Sequence, residues 1–390
     1  MCWVISRPSL VLVALVAAVG FQLRSAIVGV PPVLPAIRDD VHLSFTAAGA
    51  LTALPVLCLG AAAVPGALLA GRFGARAVVG AGTAALGLAA LLRLAPPLPA
   101  SLYLFSAVMA LGAAVAQPAM VAVLRASFPG AVQRATTVFS FALGLGGLAG
   151  ATLSVRLLAA AGWRGSFVAW GMMALAAGVL WLLAAPARGG EASQPGGFRE
   201  LTRDPAVWHV AAMFGIQSLV YYGAASWIPF QVRREGPGFL ALVMLVLNVV
   251  NVPIALLLVA LPWPWARSRP FYVLSGVLMT VGAAGFAAGA IRLAPLWAVL
   301  LGTGTAMTFA GANALPGLFA RRTGQVAGYA AAVLTAGYAL AFVGPLLGGV
   351  LVDRTHRLGS PFWIMIGASV ALIWLGLTLP RRPAAKPLAD

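Results

Sequence analysis

The chain has 390 residues, of which 62% are hydrophobic and 8% are charged, with a formal net charge of +17. A water-soluble protein carries roughly 25% charged residues, so this composition excludes a soluble enzyme or binding domain of this length. The apolar runs exceed the ~18 residues that cross a bilayer and lack the alternation over ~10 residues that marks a strand barrel. They describe an all-α polytopic membrane protein.

At roughly 32 residues per span and loop, twelve transmembrane helices fit the length. In chain order the spans read as 9–37, 44–70, 77–95, 99–124, 135–158, 165–185, 206–231, 238–262, 270–291, 294–319, 326–351 and 360–379. Arg7 precedes the first apolar run, which is too long for a cleaved signal segment and reads as a retained helix. The one long connection, 186–205, is rich in Gly, Pro and charge. The expected organisation is therefore an N-terminal six-helix bundle (1–185), a cytoplasmic linker (186–205), a C-terminal six-helix bundle (206–380) and a cytoplasmic tail (381–390).

The basic residues follow this plan. Twenty-four of the 25 are arginine, and with the N-terminus inside, fifteen fall on the inner side and nine on the outer. That asymmetry predicts a multi-pass protein of the inner membrane with both termini cytoplasmic. Charges scattered singly or in pairs between spans give topology rather than a nucleic-acid surface. Cys2 stands near the terminus and Cys58 inside a span, which suggests neither a disulfide framework nor a metal site.

The two halves repeat each other. Val64-Pro65 followed by Ala67-Leu68-Leu69 matches Val252-Pro253 followed by Ala255-Leu256-Leu257. Gln117 lies eight residues before Arg125, and Asn313 eight before Arg321. A six-plus-six repeat about an axis along the membrane normal is the plan of a major-facilitator transporter.

Arg24 is the residue richest in information. It lies 14 residues after Leu10 and 13 before Ile37, near mid-membrane, where inserting Arg costs ~2.5–3.5 kcal/mol even on the mild scale. Every acid in the chain falls at a helix end, in a loop or in the tail: Asp39, Asp40, Glu191, Glu200, Asp204, Glu235, Asp353 and Asp390. The expected counter-ion of Arg24 is therefore an anionic small-molecule substrate, matched by the planar guanidinium fork. The competing role is a structural Arg capped by carbonyls at a helix break.

The other polar residues deep in spans are hydrogen-bonding candidates. Gln217 and Tyr221 are four apart and share a helix face; Tyr222 is one step round. Gln117 and Asn313 hold matching places in the two halves, Asn248 and Asn251 lie in the eighth span, and Tyr338 in the eleventh. Polar side chains also bridge membrane helices as a matter of course. Trp227 is placed as an apolar wall of the site. The histidines His42, His209 and His356 stand near helix ends, which argues against proton coupling through an intramembrane side chain. No catalytic triad, paired carboxylates, metal-ligand spacing or phosphate loop is present in the spans, so no enzyme activity, cofactor or metal is expected. A monomer in the bilayer, with no nucleic-acid partner, is expected.

The motifs carry a resemblance. Leu23-Arg24, Leu34-Pro35-Ala36-Ile37-Arg38-Asp39-Asp40 and Leu51-Thr52-Ala53-Leu54-Pro55-Val56-Leu57-Cys58 come from the first two spans. Gln217-Ser218, Tyr221-Tyr222 and Trp227-Ile228-Pro229 come from the seventh, and Gly337-Tyr338, Gly344-Pro345 and Asp353 from the eleventh. With these the chain resembles the cyanate and 2-nitroimidazole transporter branch of the major facilitator superfamily. The resemblance implies twelve helices, alternating access and a small, often anionic solute, with Arg24 in the place of the branch's first-helix Arg. A polyspecific exporter of drug- or nitroimidazole-type molecules is the alternative within the superfamily. One position departs from the superfamily pattern: Gly71 stands before Arg72 where an Asp is usual, so no gating role of that acid carries over.

Overall fold

The computed structural model describes residues 7–186, 203–260, 265–319 and 325–380. Most of the expected linker (187–202) and the whole tail (381–390) lie outside the described residues. Among those described there is no strand. The first helices are α1 (Arg7–Val28), α2 (Val30–Val41), α3 (Phe45–Ala61), α4 (Ala63–Phe73), α5 (Ala75–Leu92), α6 (Leu98–Ser127) and α7 (Val132–Ala184). After residue 202 come α8 (Pro205–Val232), α9 (Pro237–Val249), α10 (Asn251–Ala260), α11 (Arg269–Ala287), α12 (Ala294–Phe319), α13 (Gln325–Ala341), α14 (Val343–Thr355) and α15 (Ser360–Leu377). Nine helical stretches among the described residues are long and apolar enough to cross a membrane.

Four expected spans are each split into two helices, and proline chemistry accounts for where. Proline has no N–H to reach the carbonyl four residues back, and its ring crowds that carbonyl. Pro32, Pro65, Pro253 and Pro345 stand four residues after Val28, Ala61, Val249 and Ala341, the last residues of α1, α3, α9 and α13. Pro35, Pro55, Pro118, Pro229 and Pro316 stay inside continuous helices, so proline permits the break rather than compelling it. The breaks at Ala62 and Val250 fall at matching places of the sequence repeat. The fifth and sixth expected spans run on as α7, which bends at Gly162, where φ of 70° suits a residue without Cβ.

By contacts the chain divides into two compact units, residues 1–30 with 61–194 and residues 31–60 with 195–390. The segment 31–60, which hydropathy groups with its chain neighbours, packs with the second unit. In the first unit α1 lies along α7, and α5 packs on both α6 and α7. The approach of α1 to α7 is set by Gly146 and Gly150, one turn apart: a Cβ on either would strike the backbone of Phe21 or Ser25. Small residues let membrane helices meet this closely. In the second unit α8 is the centre, packed against α12, α13, α14 and α15 and buried along almost its whole length. A helix apolar all round belongs in such a place.

Candidate substrate site

In the first unit the site is built on α1. Arg24 lies between Leu23 and Ser25, both fully buried, yet is itself only half-buried. Its stem crosses α7 at Gly147, where a Cβ would come within 3.2 Å of Arg24 Cγ. Glycine there leaves the room that the long side chain occupies. Arg24 also interacts within the protein. The flanking polar groups are satisfied locally. Ser25 Oγ donates to Gln22 Oε1 at 2.9 Å, and Trp170 Nε1 donates to Ser154 Oγ at 2.9 Å. Gln117 stands half-buried in α6, next to Pro118.

In the second unit the predicted residues fall into two groups. Tyr221 and Tyr338 come together with Tyr222. Tyr221 and Tyr222 meet edge-to-face at 5.1 Å, Tyr222 and Tyr338 lie 6.5 Å apart, and Tyr338 meets Phe214 edge-to-face at 5.2 Å. Val56 and Ala341 complete the apolar side of this cluster. The Tyr221 hydroxyl donates to Asn248 Oδ1 at 2.7 Å, while Asn248 Nδ2 donates to the Met244 carbonyl and Asn251 Nδ2 to the Asn248 carbonyl. The break between α9 and α10 puts both asparagines at this bend.

The remaining residues do not join that group. Gln217 is 3% exposed and donates to Ser218 Oγ at 2.6 Å, although it shares a helix face with Tyr221. Trp227 is fully enclosed: its indole N–H donates to the Pro345 carbonyl at 3.2 Å, and it stacks on Phe230. Its surroundings are those of a packing residue. Asn313 is exposed and donates to the carbonyl of Phe309 in its own helix.

Two features escape a reading by composition. Tyr222 and Asn248 belong to the cluster, a placement set by helix packing and by the break at Val250. Arg93, which sequence counts among the loop charges, is 1% exposed. Its Nε and Nη2 donate to Ser106 Oγ at 2.9 and 2.7 Å, and the guanidinium lies 4.4 Å from the Phe167 ring centre. The short spacing Arg93 to Ser101 and Ser106, with Ser101 Oγ donating to the Arg93 carbonyl at 3.1 Å, was the available signal.

Comparison with known proteins agrees with this architecture. The chain is 26% identical over 364 residues to the uncharacterized transporter YycB of Bacillus subtilis, covering 91% of this chain and 89% of the relative. It is 27% identical to the 2-nitroimidazole transporter of Escherichia coli, covering 95% and 96%. It is 25% identical to the cyanate transport protein CynX of Escherichia coli, covering 75% and 77%. Among solved structures the nucleoside transporter NupG superposes with a TM-score of 0.74 at 13% identity, covering 95% of this chain and 100% of that one. The sequence profile of the Major Facilitator Superfamily matches residues 10–342, and with the all-helical architecture and the internal repeat this makes the chain a multi-pass membrane transporter of the Major Facilitator Superfamily.

Proposed function

We propose that this transporter carries a small anionic solute, cyanate-like or a small organic anion, across the inner membrane by alternating access, and that Arg24 is its counter-charge. The observation that carries the reading is a half-buried guanidinium at mid-span on α1, with Gly147 leaving space along its stem. A cation so placed has a high insertion cost, which binding of an anion offsets. The planar fork favours carboxylate-like geometry over a point-charge match. Gln117 and, from the second unit, Gln217, Tyr221, Tyr338 and Asn313 are the proposed hydrogen-bond partners of the solute. For Gln217 this requires rotation away from Ser218. The protein acts as a monomer of twelve crossings, with α7 crossing twice about Gly162.

A second reading has its own support. The cluster of Phe214, Tyr221, Tyr222 and Tyr338 is suited to stacking a flat aromatic solute, and one relative is a 2-nitroimidazole transporter. An exporter of nitroimidazole-type molecules is the alternative.

A thermal-shift titration separates the two. A ligand that binds only the folded state raises its stability by RT ln(1 + [L]/Kd), about 2.7 kcal/mol at a hundred times Kd. Cyanate, small carboxylates and 2-nitroimidazole are titrated against the purified wild type and Arg24→Ala. Stabilisation by anions that disappears in Arg24→Ala is the expected result. Equal stabilisation of both proteins by anions removes Arg24 from the site. Stabilisation by 2-nitroimidazole alone favours the exporter.

A further inference from the structure

The tyrosine cluster of the second unit has one polar edge, and the direction of each hydrogen bond there is fixed. Asn248 Nδ2 lies 2.8 Å from the Met244 carbonyl oxygen. A carbonyl can only accept, so the amide atom facing it is the NH2. Turning the amide over would set two oxygens against each other. Asn248 Oδ1 is thereby left facing Tyr221 Oη, at 2.7 Å. An amide oxygen also only accepts, so the tyrosine supplies the proton. The bend at Val250 adds a further restraint, since Asn251 Nδ2 donates to the Asn248 carbonyl at 2.9 Å. Asn248 is 9% exposed, which leaves water little access to compete for its side chain.

This fixes what Tyr221 can offer to anything else. A phenol hydroxyl has one proton and two lone pairs. With the proton committed to Asn248, the oxygen meets a further group as an acceptor. Met244, Asn248 and Tyr221 form a head-to-tail chain, and each bond of such a chain polarises the next, so the oxygen at its end accepts more strongly than an isolated phenol. Tyr221 and Tyr338 are half-buried, while Tyr222 is buried behind them. These rings meet edge-to-face or tilted at 5.1 and 6.5 Å, surroundings that suit a flat ring. A bare anion would bring lone pairs against lone pairs here. A ring N–H would complete the chain.

We propose that Asn248 is a positioning residue that holds the Tyr221 hydroxyl as a hydrogen-bond acceptor, and that the second unit thereby selects a flat solute carrying a ring N–H. The proposal rests on the reading that places Tyr221 at the solute site. Within the anion reading it favours a small organic anion on an N–H heterocycle over cyanate, which has no such hydrogen. Within the second reading it favours azoles with a free N–H over their oxygen analogues.

The test uses two pairs of ligands in which one ring atom changes and the shape does not. Pyrrole-2-carboxylate is compared with furan-2-carboxylate at neutral pH, where both are anions, and 2-nitropyrrole with 2-nitrofuran. Each is titrated by thermal shift against the detergent-purified full chain, its Tyr221→Phe and Asn248→Leu variants, and Arg24→Ala. The ratio of two affinities on one protein is insensitive to that protein's own stability. In the wild type the N–H ring is expected to bind about tenfold more tightly than its oxygen analogue, the cost of leaving the acceptor unmatched. In Tyr221→Phe the ratio falls to near one, and the loss is confined to the N–H ring. Asn248→Leu frees the hydroxyl to turn and narrows the ratio to within about threefold; it decides the matter if Tyr221→Phe fails to fold.

Equal binding of both members by the wild type overturns the proposal, as does a preference that survives unchanged in the folded variants. A fall in Tyr221→Phe that is equal for both members leaves Tyr221 at the site but removes its polarity. Affinities unchanged throughout in Tyr221→Phe, or no stabilisation by any of the four, remove the cluster from the site and the proposal with it. An N–H preference in the nitro pair, with no dependence of the carboxylates on Arg24, supports the polarity of Tyr221 and counts against the anion reading.

Discussion

Arg24 and Arg93 are both deeply placed guanidinium groups, and their surroundings give them different work. Arg93 is sealed between Ser106 and the Phe167 ring, so it is committed to structure. Removing the hydroxyl that accepts two of its bonds leaves buried donors without a partner, at about 1–3 kcal/mol. Ser106→Ala is therefore expected to lower the thermal midpoint of the purified protein clearly, without altering which ligands stabilise it. Arg24 keeps part of its surface open. Lysine preserves the charge but not the planar fork. Under the anion reading, Arg24→Lys loses roughly tenfold or more in affinity for a carboxylate-like ligand, measured by titration; full retention points to a charge-only role. Tyr221→Phe removes the donor to Asn248 Oδ1 and is expected to cost about 0.5–1.5 kcal/mol of stability, read as a lower midpoint. Residue types at these positions were legible in the sequence. Their division into sealed and open was not, because exposure is decided by which helix lies across them.

At the scale of elements, the helix breaks follow from local chemistry. Two of the four breaks fall at the paired Val-Pro motifs of the repeat, where the carbonyl that loses its donor lies four residues before the proline. Pro253→Ala restores that donor toward Val249. Amide hydrogen exchange across residues 249–254 is expected to slow, and an unchanged rate means that packing alone holds the bend. Helix contact follows from glycine at positions where two backbones meet. In Gly150→Ala the new Cβ would strike the Ser25 carbonyl, so α1 must shift from α7. Overpacking of this kind costs about 1–3 kcal/mol and should appear as a lower thermal midpoint. The same glycine-rich stretch reads in sequence only as a place where some helix comes near.

For the whole molecule, the charge count predicts an orientation. With fifteen basic residues against nine the expected side of the C-terminus is the cytoplasm, so a C-terminal fluorescent-protein fusion should fluoresce and an alkaline phosphatase fusion should be inactive. The opposite pair of results reverses the topology. By itself the amino-acid sequence determined that this is a helical membrane transporter built on an internal repeat, because hydropathy, charge placement and proline position act within a turn or a span of the chain. Only the tertiary structure decided that residues 31–60 pack with the second unit, that Asp353 caps a helix more than 300 residues away, and that Trp227 is enclosed while the three tyrosines meet. These depend on which helices lie side by side. In a chain whose helices are apolar on nearly every face, hydropathy does not distinguish one neighbour from another, and the choice is made by close packing and a few polar contacts between distant segments.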